Sequence, residues 1–294
     1  MARSHTPPVP KQIMLAGFSG AGKTTFLAAL WHVISNKGEV PNALTLESPP
    51  KEAEHLNALR EKWLRCDPVL HTELTSAKQV VMSLAKPDGT PVGTVILPDL
   101  SGESFGAQWE QRQCAEATAT MLKESCGVLL LMHPHQIQQP VRIRDRVALA
   151  ATIKASAVAA GRTGSTGATR KEWLPSMTGT DVQFVDLLQL MLVQRGSNPA
   201  PLRLAIGISA WDLVTGLEPM EWLKNTLPLF HQYLNSNQDL FSIRVYGISA
   251  QGGDYKQTTD ELLGKFQASE RITIVGPDCD PHDLTAPLKW LLAV

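Results

Sequence analysis

The sequence predicts an α/β fold in three layers: a mostly parallel central sheet carrying one antiparallel hairpin strand, with helices on both faces. Three observations predict it. A glycine-rich turn, Gly17-Phe18-Ser19-Gly20-Ala21-Gly22-Lys23-Thr24-Thr25, joins a short apolar run to a run of helix formers. Gly127 to Met132 is continuously apolar, the pattern of a strand covered on both faces in a parallel sheet. Pro87-Asp88-Gly89-Thr90 separates two strand-like runs, which is the turn chemistry of an antiparallel hairpin.

The elements follow in order. Residues 1–10 are polar and proline-rich and read as a flexible leader. Gln12 to Ala16 reads as a short buried strand. The helix after the glycine-rich turn takes in Phe26 to Ile34 and stops near Asn36 to Gly38. Ala43 to Leu46 reads as a short strand. Lys51 to Arg65 carries Leu56, Leu59, Trp63 and Leu64 at helical spacing. Gln79 to Leu84 and Val92 to Leu97 form the hairpin. Ser104 to Ser125 reads as one helix, and Gly127 to Met132 as the buried strand. Arg142 to Ala160 reads as a helix and Gly161 to Thr180 as a Gly/Thr/Ser-rich loop. Asp181 to Gln194 is an amphipathic helix and Leu202 to Ile208 an apolar strand. Glu218 to Asn235 is helical, with Pro228 expected to kink or divide it. Phe241 to Ile248 reads as the last strand, and Pro287 to Ala293 as the end of a last helix.

Composition narrows the function classes. The 294 residues are 43% hydrophobic and 19% charged, which excludes a disordered chain. Lys plus Arg is 27 against 28 Asp plus Glu, a net charge of -1, so bulk charge does not hold this protein to nucleic acid or membrane. Within 141–173 the balance is locally basic, with seven basic and two acidic residues. That segment reads as a solvated arm or as a contact for an acidic partner. Cys66, Cys114, Cys126 and Cys279 form no C-x-x-C pair, which argues for isolated thiols in a reducing compartment rather than a zinc site. The N-terminal residues have no apolar signal region, and Val128 to Met132 falls far short of a bilayer span. A cytoplasmic protein without a membrane contact is the expectation.

The glycine-rich turn carries the strongest chemistry. Gly17-x-x-x-x-Gly22-Lys23-Thr24 turns backbone N–H groups of Ser19, Gly20, Ala21, Gly22 and Thr25 toward a phosphate chain. Lys23 reaches the β- and γ-phosphates, the Thr24 hydroxyl ligates Mg²⁺, and the helix dipole favours the same anion. The ligand is a nucleoside triphosphate. Asp99-Leu100-Ser101-Gly102 then ends a strand: Asp99 suits a second, water-mediated Mg²⁺ contact, and Gly102 can offer its N–H to a γ-phosphate. Losing that phosphate would release the segment, which is the logic of a nucleotide switch. Asp212, in Ser209-Ala210-Trp211-Asp212, ends another strand, where a carboxylate accepts from guanine N1–H and the N2 amine. Adenine lacks those donors, and polar readout of this kind discriminates by roughly 10⁴ or more. An ordinary helix N-cap is the other reading of Asp212. Ser249-Ala250-Gln251 closes a third strand, where backbone N–H groups meet guanine O6.

Four segments in order, GFSGAGKTT, DLSG, SAWD and SAQ, resemble the Ras-like, TRAFAC (translation-factor) class of P-loop GTPases over residues 12 to about 251. Phe18, the DLSGES turn, the helix at 51–65 and the extra length are most similar to the bacterial double-GTPase domain family, whose members are thought to act as switches in multi-gene conflict or defence systems. The resemblance implies GTP and GDP as ligands with Mg²⁺, and a protein partner acting as effector or activator. It also implies a switch threonine capping Mg²⁺ and γ-phosphate ahead of the hairpin. By position Thr72 is the first choice and Thr75 the second, though each also fits a solvent-facing threonine.

Two departures from that pattern bear on chemistry. The base motif of the class is usually N/T-K-x-D; here Ala210 replaces the lysine whose stem packs on the base, and Trp211, whose side chain should point elsewhere, is counted with Asp212, Ser249 and Ala250 among the candidate nucleotide-binding residues. After D-x-x-G small GTPases usually carry a glutamine that orients water; here it is Glu103, which accepts from water but repels the γ-phosphate. Slow intrinsic hydrolysis is the expectation. Arg60, Arg65 and Arg112 are the candidates for an arginine finger within the chain, and a partner could supply one instead. Lys23, Glu103 and Thr72 are thus the candidate catalytic residues. The leading reading is a GTP-binding switch. A module that holds nucleotide without hydrolysing it, and an ATP-dependent enzyme, are the alternatives. A Ras-like core needs about 170 residues as one domain, so residues 11–294 read as a single GTPase domain with insertions at about 38–70 and 135–180.

Overall fold

A computed structural model describes residues 11–36, 42–68, 79–98, 102–140, 174–196 and 200–294. Its frame is an eight-stranded sheet in the order β2-β3-β4-β1-β5-β6-β7-β8. The strands are β1 (Gln12–Ala16), β2 (Thr45–Ser48), β3 (Gln79–Ala85), β4 (Pro91–Pro98), β5 (Ser125–Met132), β6 (Leu202–Ser209), β7 (Phe241–Ser249) and β8 (Thr273–Val275). β1 lies parallel between β4 and β5, and β5, β6 and β7 continue the parallel series. β3 joins β4 antiparallel as the expected hairpin, β2 extends that edge antiparallel to β3, and β8 closes the other edge against β7.

The helices are α1 (Lys23–Ser35), α2 (Ala53–Leu64), α3 (Gly102–Gln111), α4 (Glu116–Glu124), α5 (Thr180–Arg195), α6 (Pro219–Thr226), α7 (Pro228–Ser236), α8 (Thr259–Leu263) and α9 (Ala286–Leu292). Strand periodicity sorts the apolar residues between two layers. Ile13, Leu15, Leu129 and Leu131 face a core with Phe26, Leu30, Trp63 and Leu288, from α1, α2 and α9. Met14, Val128, Leu130 and Ile206 face a second core with Phe184, Leu188, Leu223 and Phe230, from α5, α6 and α7. The unbroken apolar run of β5 is therefore needed because both of its faces are covered. Each such leucine removed from water contributes about 1.5–3 kcal/mol.

Two local expectations change, and the choice left open at Pro228 is resolved. The run 104–125 is two helices, because α3 ends with Arg112 in the left-handed region at φ 56°. Gln113 N–H reaches back to Gln108 O at 3.0 Å and Arg112 N–H to Trp109 O at 3.3 Å, the bonding of a Schellman stop without its usual glycine. α2 stops the same way at Cys66, φ 58°. Phe241–Ser249 is not the last strand, since three residues later in the chain, Thr273–Val275, pair with its end. Pro228 divides rather than kinks its helix, standing at the first position of α7 where its missing N–H costs nothing. The expected helix at 142–160 lies outside the described residues.

Candidate nucleotide site

In a parallel sheet the strands all end on one edge, and the gap where strand order reverses collects ligands. β1 is that point, with β4 on one side and β5 on the other. The glycine-rich turn leaves its end and feeds α1. Lys23 opens α1 and folds back over the turn: its Nζ donates to Gly17 O at 2.7 Å and to Phe18 O at 2.9 Å. Burial brings the Lys23 ammonium from its ordinary 10.5 down to about 8. Ser19 and Gly20 are exposed, while Gly17 and Ala21 are buried. The first turn of α1 has no acidic residue, so nothing in that turn offsets its positive end.

Gly22 connects this turn to the β6 end. It takes φ 86°, and a Cβ there would sit 2.9 Å from Ser209 Cβ. Glycine is needed for both reasons. Ser209 Oγ in turn donates to Met132 O at 3.1 Å, so the ends of β5 and β6 and the phosphate turn form one packed unit.

Beyond Ser209, Ala210 is left-handed at φ 47°, and Trp211 turns into the core. The Trp211 ring lies on Gly247, where any Cβ would run into it. Asp212 points the other way. Its Oδ1 accepts the Ser249 hydroxyl at 2.5 Å, and Ser249 Oγ accepts from Gly252 N–H at 3.1 Å. The SAWD and SAQ segments thus meet through their side chains. Ala250 is fixed from behind, because Trp63 Nε1 on α2 donates to its carbonyl at 2.9 Å. Arg271 holds that tryptophan, with its guanidinium 5.5 Å from the ring and donating to Trp63 O and Leu64 O.

A cavity of about 290 Å³ opens between these parts. Gly22, Thr25, Ser209, Asp212 and Ala250 line it, and Trp211 is not among its walls. His133, His135 and Asp254 also line it, and the sequence reading did not single them out. Their only signal was position: His133 directly follows the apolar run of β5. A second hollow, of about 400 Å³, lies on the other flank of the phosphate turn, with Phe18, Ser19, Trp109, Gln136 and Phe184 on its walls. His133 borders both.

The remaining sequence candidates sit as follows. Thr24 is half-buried in the first turn of α1, beside the phosphate cradle. Its hydroxyl is a hard oxygen donor of the kind Mg²⁺ takes, and that donor chemistry fits the ion. Gly102 opens α3 with Glu103 next to it. The Glu103 carboxylate lies outside what the structure describes, as do Asp99, Thr72 and Thr75. Arg112 is tied to Asp186 at 2.7 Å and Arg60 to Glu61 at 3.4 Å, while Arg65 caps the C-terminal end of α2. None of the three lines the 290 Å³ cavity.

The family model described as Double-GTPase 1 matches residues 14–291. The chain belongs to the Double-GTPase 1 family. As a Double-GTPase 1 protein it is a GTP-binding protein on the P-loop GTPase fold, and guanine nucleotide is its ligand class. Among solved structures, this Double-GTPase 1 chain is similar to a probable GTP-binding protein engB at 12% identity and TM-score 0.31, covering 85% of this chain and 94% of that one. It is similar to an ADP-ribosylation-factor-like protein, the small COPII coat GTPase SAR1 from Encephalitozoon cuniculi in complex with GDP, at 10% identity and TM-score 0.36, covering 98% and 80%. It is also similar to the signal recognition particle receptor SRb-GTP/SRX complex from Chaetomium thermophilum, at 13% identity and TM-score 0.37, covering 83% and 92%. No curated protein matches the sequence. Among the described residues no helix is long and apolar enough to cross a membrane.

Proposed function

We propose that this chain is a guanine-nucleotide switch with slow or partner-assisted hydrolysis of GTP to GDP and phosphate. The observation that carries the reading is the Asp212–Ser249 pair at 2.5 Å in a cavity that the Gly22 end of the phosphate turn also lines. A carboxylate has about four lone-pair sites, so one hydroxyl leaves acceptor capacity for the N1–H and N2 amine of a guanine. The turn's amides and Lys23 bind the phosphates, and Lys23 exchanges its two carbonyl partners for phosphate oxygens. Thr24, with Asp99 and Thr72, would hold Mg²⁺, which neutralises charge on the β- and γ-phosphates when bound. Water attacks the γ-phosphorus and the bond to the bridging oxygen breaks, with Glu103 near the water and no covalent enzyme intermediate. A carboxylate there repels the γ-phosphate, which is why the intrinsic rate is slow.

The resemblance supports a place in a bacterial multi-protein conflict, defence or signalling system, in the cytoplasm, as one GTPase domain with insertions at about 38–70 and 135–180. The partner would read the switch, and the basic 141–173 stretch is a candidate contact. The other reading, a nucleotide-holding module that does not hydrolyse, draws support from Ala210 and from Glu103. Single-turnover GTP hydrolysis, with and without candidate partners, separates the two.

The deciding experiment is titration of the whole chain with GTP and ATP analogues, repeated on Asp212→Asn and Lys23→Ala. The guanine reading expects GTP over ATP in wild type, a shift toward xanthine nucleotides in Asp212→Asn, and loss of both in Lys23→Ala. Equal binding of ATP and GTP by wild type would overturn it.

A further inference from the structure

A purine held along its edge by Asp212 still presents two flat faces to the cavity, and a base face is stabilised by a ring lying against it. The neighbours of Asp212 do not offer one. Ala210 carries a methyl group, and the Trp211 indole is committed to the core over Gly247. Phe26 lines the cavity but is 2% exposed. Among the described residues, the accessible rings on the wall belong to His133 and His135, which enter from the turn after β5. His135 is exposed and His133 half-buried, with ring centroids 5.7 Å apart and planes at 57°. His133 Nδ1 accepts the backbone N–H of His135 at 3.2 Å and so braces the short turn that carries it.

We propose that His135 is the stacking platform for the guanine base, and that His133 is the positioning residue that holds the His135 backbone in place. This rests on the guanine reading above. Burial, and the neighbouring His135, keep His133 below its ordinary pKa against the pull of Asp212. The neutral imidazole is the form whose Nδ1 can accept. The platform comes from β5, one strand away from the Asp212 motif on β6, so base edge and base face are read by different loops of one packed unit.

The test is calorimetric titration of the full chain with GDP, in wild type and five variants. Removing one base-stacking ring costs about ten- to hundredfold in affinity, and His135→Ala is expected to lose that much. His135→Phe should restore affinity to within a few-fold, since it keeps the ring and discards every polar function. His135→Trp should bind as well, and GDP should quench the new indole's emission. His133→Leu should lose most of the affinity that His135→Ala loses. His133→Asn should recover it, because its side-chain carbonyl can accept the same N–H. Exposure of His135 makes unfolding of its variants a minor concern, and circular dichroism checks it. Wild type that binds GDP with His135→Ala equal to it overturns this inference alone. So does a His135→Phe protein that stays as weak as His135→Ala. Wild type that fails to bind GDP overturns the guanine reading and this inference with it.

Discussion

The indole Nε1 of Trp109 donates to the carboxylate of Asp186 at 2.7 Å, joining α3 to α5. Arg112 grips the same carboxylate from the exposed side, also at 2.7 Å. α3 opens at Gly102, the glycine expected to meet a γ-phosphate, so this latch sets where the segment after the phosphate contact can go. Trp109 also meets Phe18 of the phosphate turn edge-on, at 6.4 Å between centroids.

Breaking the latch should separate its two components. Trp109 is 6% exposed, so Asp186→Ala leaves a buried N–H without its acceptor and costs about 1–3 kcal/mol. The Arg112 side chain is 60% exposed, and Arg112→Ala should cost at most about 1 kcal/mol. Urea unfolding of the two variants measures the difference.

Nucleotide affinity should fall with alkali. Lys23 in the free protein titrates at about 8 rather than 10.5. Between those values the unfolded chain holds the extra proton, so the burial penalty on stability is present below about 8 and is relieved as pH rises through that window. Binding runs the other way, because phosphate needs the ammonium. GDP affinity should be flat below about pH 8 and drop about tenfold by pH 9. Calorimetry in buffers of different ionisation enthalpy should show proton uptake on binding in that range.

Gly22→Ala places a Cβ against Ser209 in a left-handed conformation. The conformation alone costs about 1–2 kcal/mol, and the Ser209 side chain cannot retreat without losing its bond to Met132 O. Melting should shift downward, and GDP binding should weaken more than the stability loss explains, because the phosphate turn moves.

Trp63→Phe keeps most of the buried ring and removes one hydrogen bond, leaving Ala250 O unpaired. About 1–2 kcal/mol of stability should be lost. GDP affinity should fall while ATP analogues are affected no more than before, since the 249–251 turn is expected to contact the base.

Much of this was legible in the residues. The GFSGAGKTT turn sits between β1 and α1, and the unbroken apolar run of β5 announces a strand covered on both faces. The ends of α2 and α3 were not legible, because Cys66 and Arg112 take left-handed conformations without the glycine that usually marks such a stop. β8 was missed because three residues carry too little periodicity to read. Asp212 and Ser249 were visible one at a time, but their 2.5 Å bond depends on β6 and β7 being neighbours. His133 and His135 carry no spacing signal at all; only the cavity shows what they face.

The indole–carbonyl bond from Trp63 to Ala250 spans 187 residues of chain. The phosphate turn is synthesised before Asp212, Ser249 and the Ala250 turn, which follow it far along the chain. Its bracing partners Met132 and Ser209 come after it, and the base pocket comes after them. Nucleotide selectivity thus waits on a long-range closure, that of the far strands against α2.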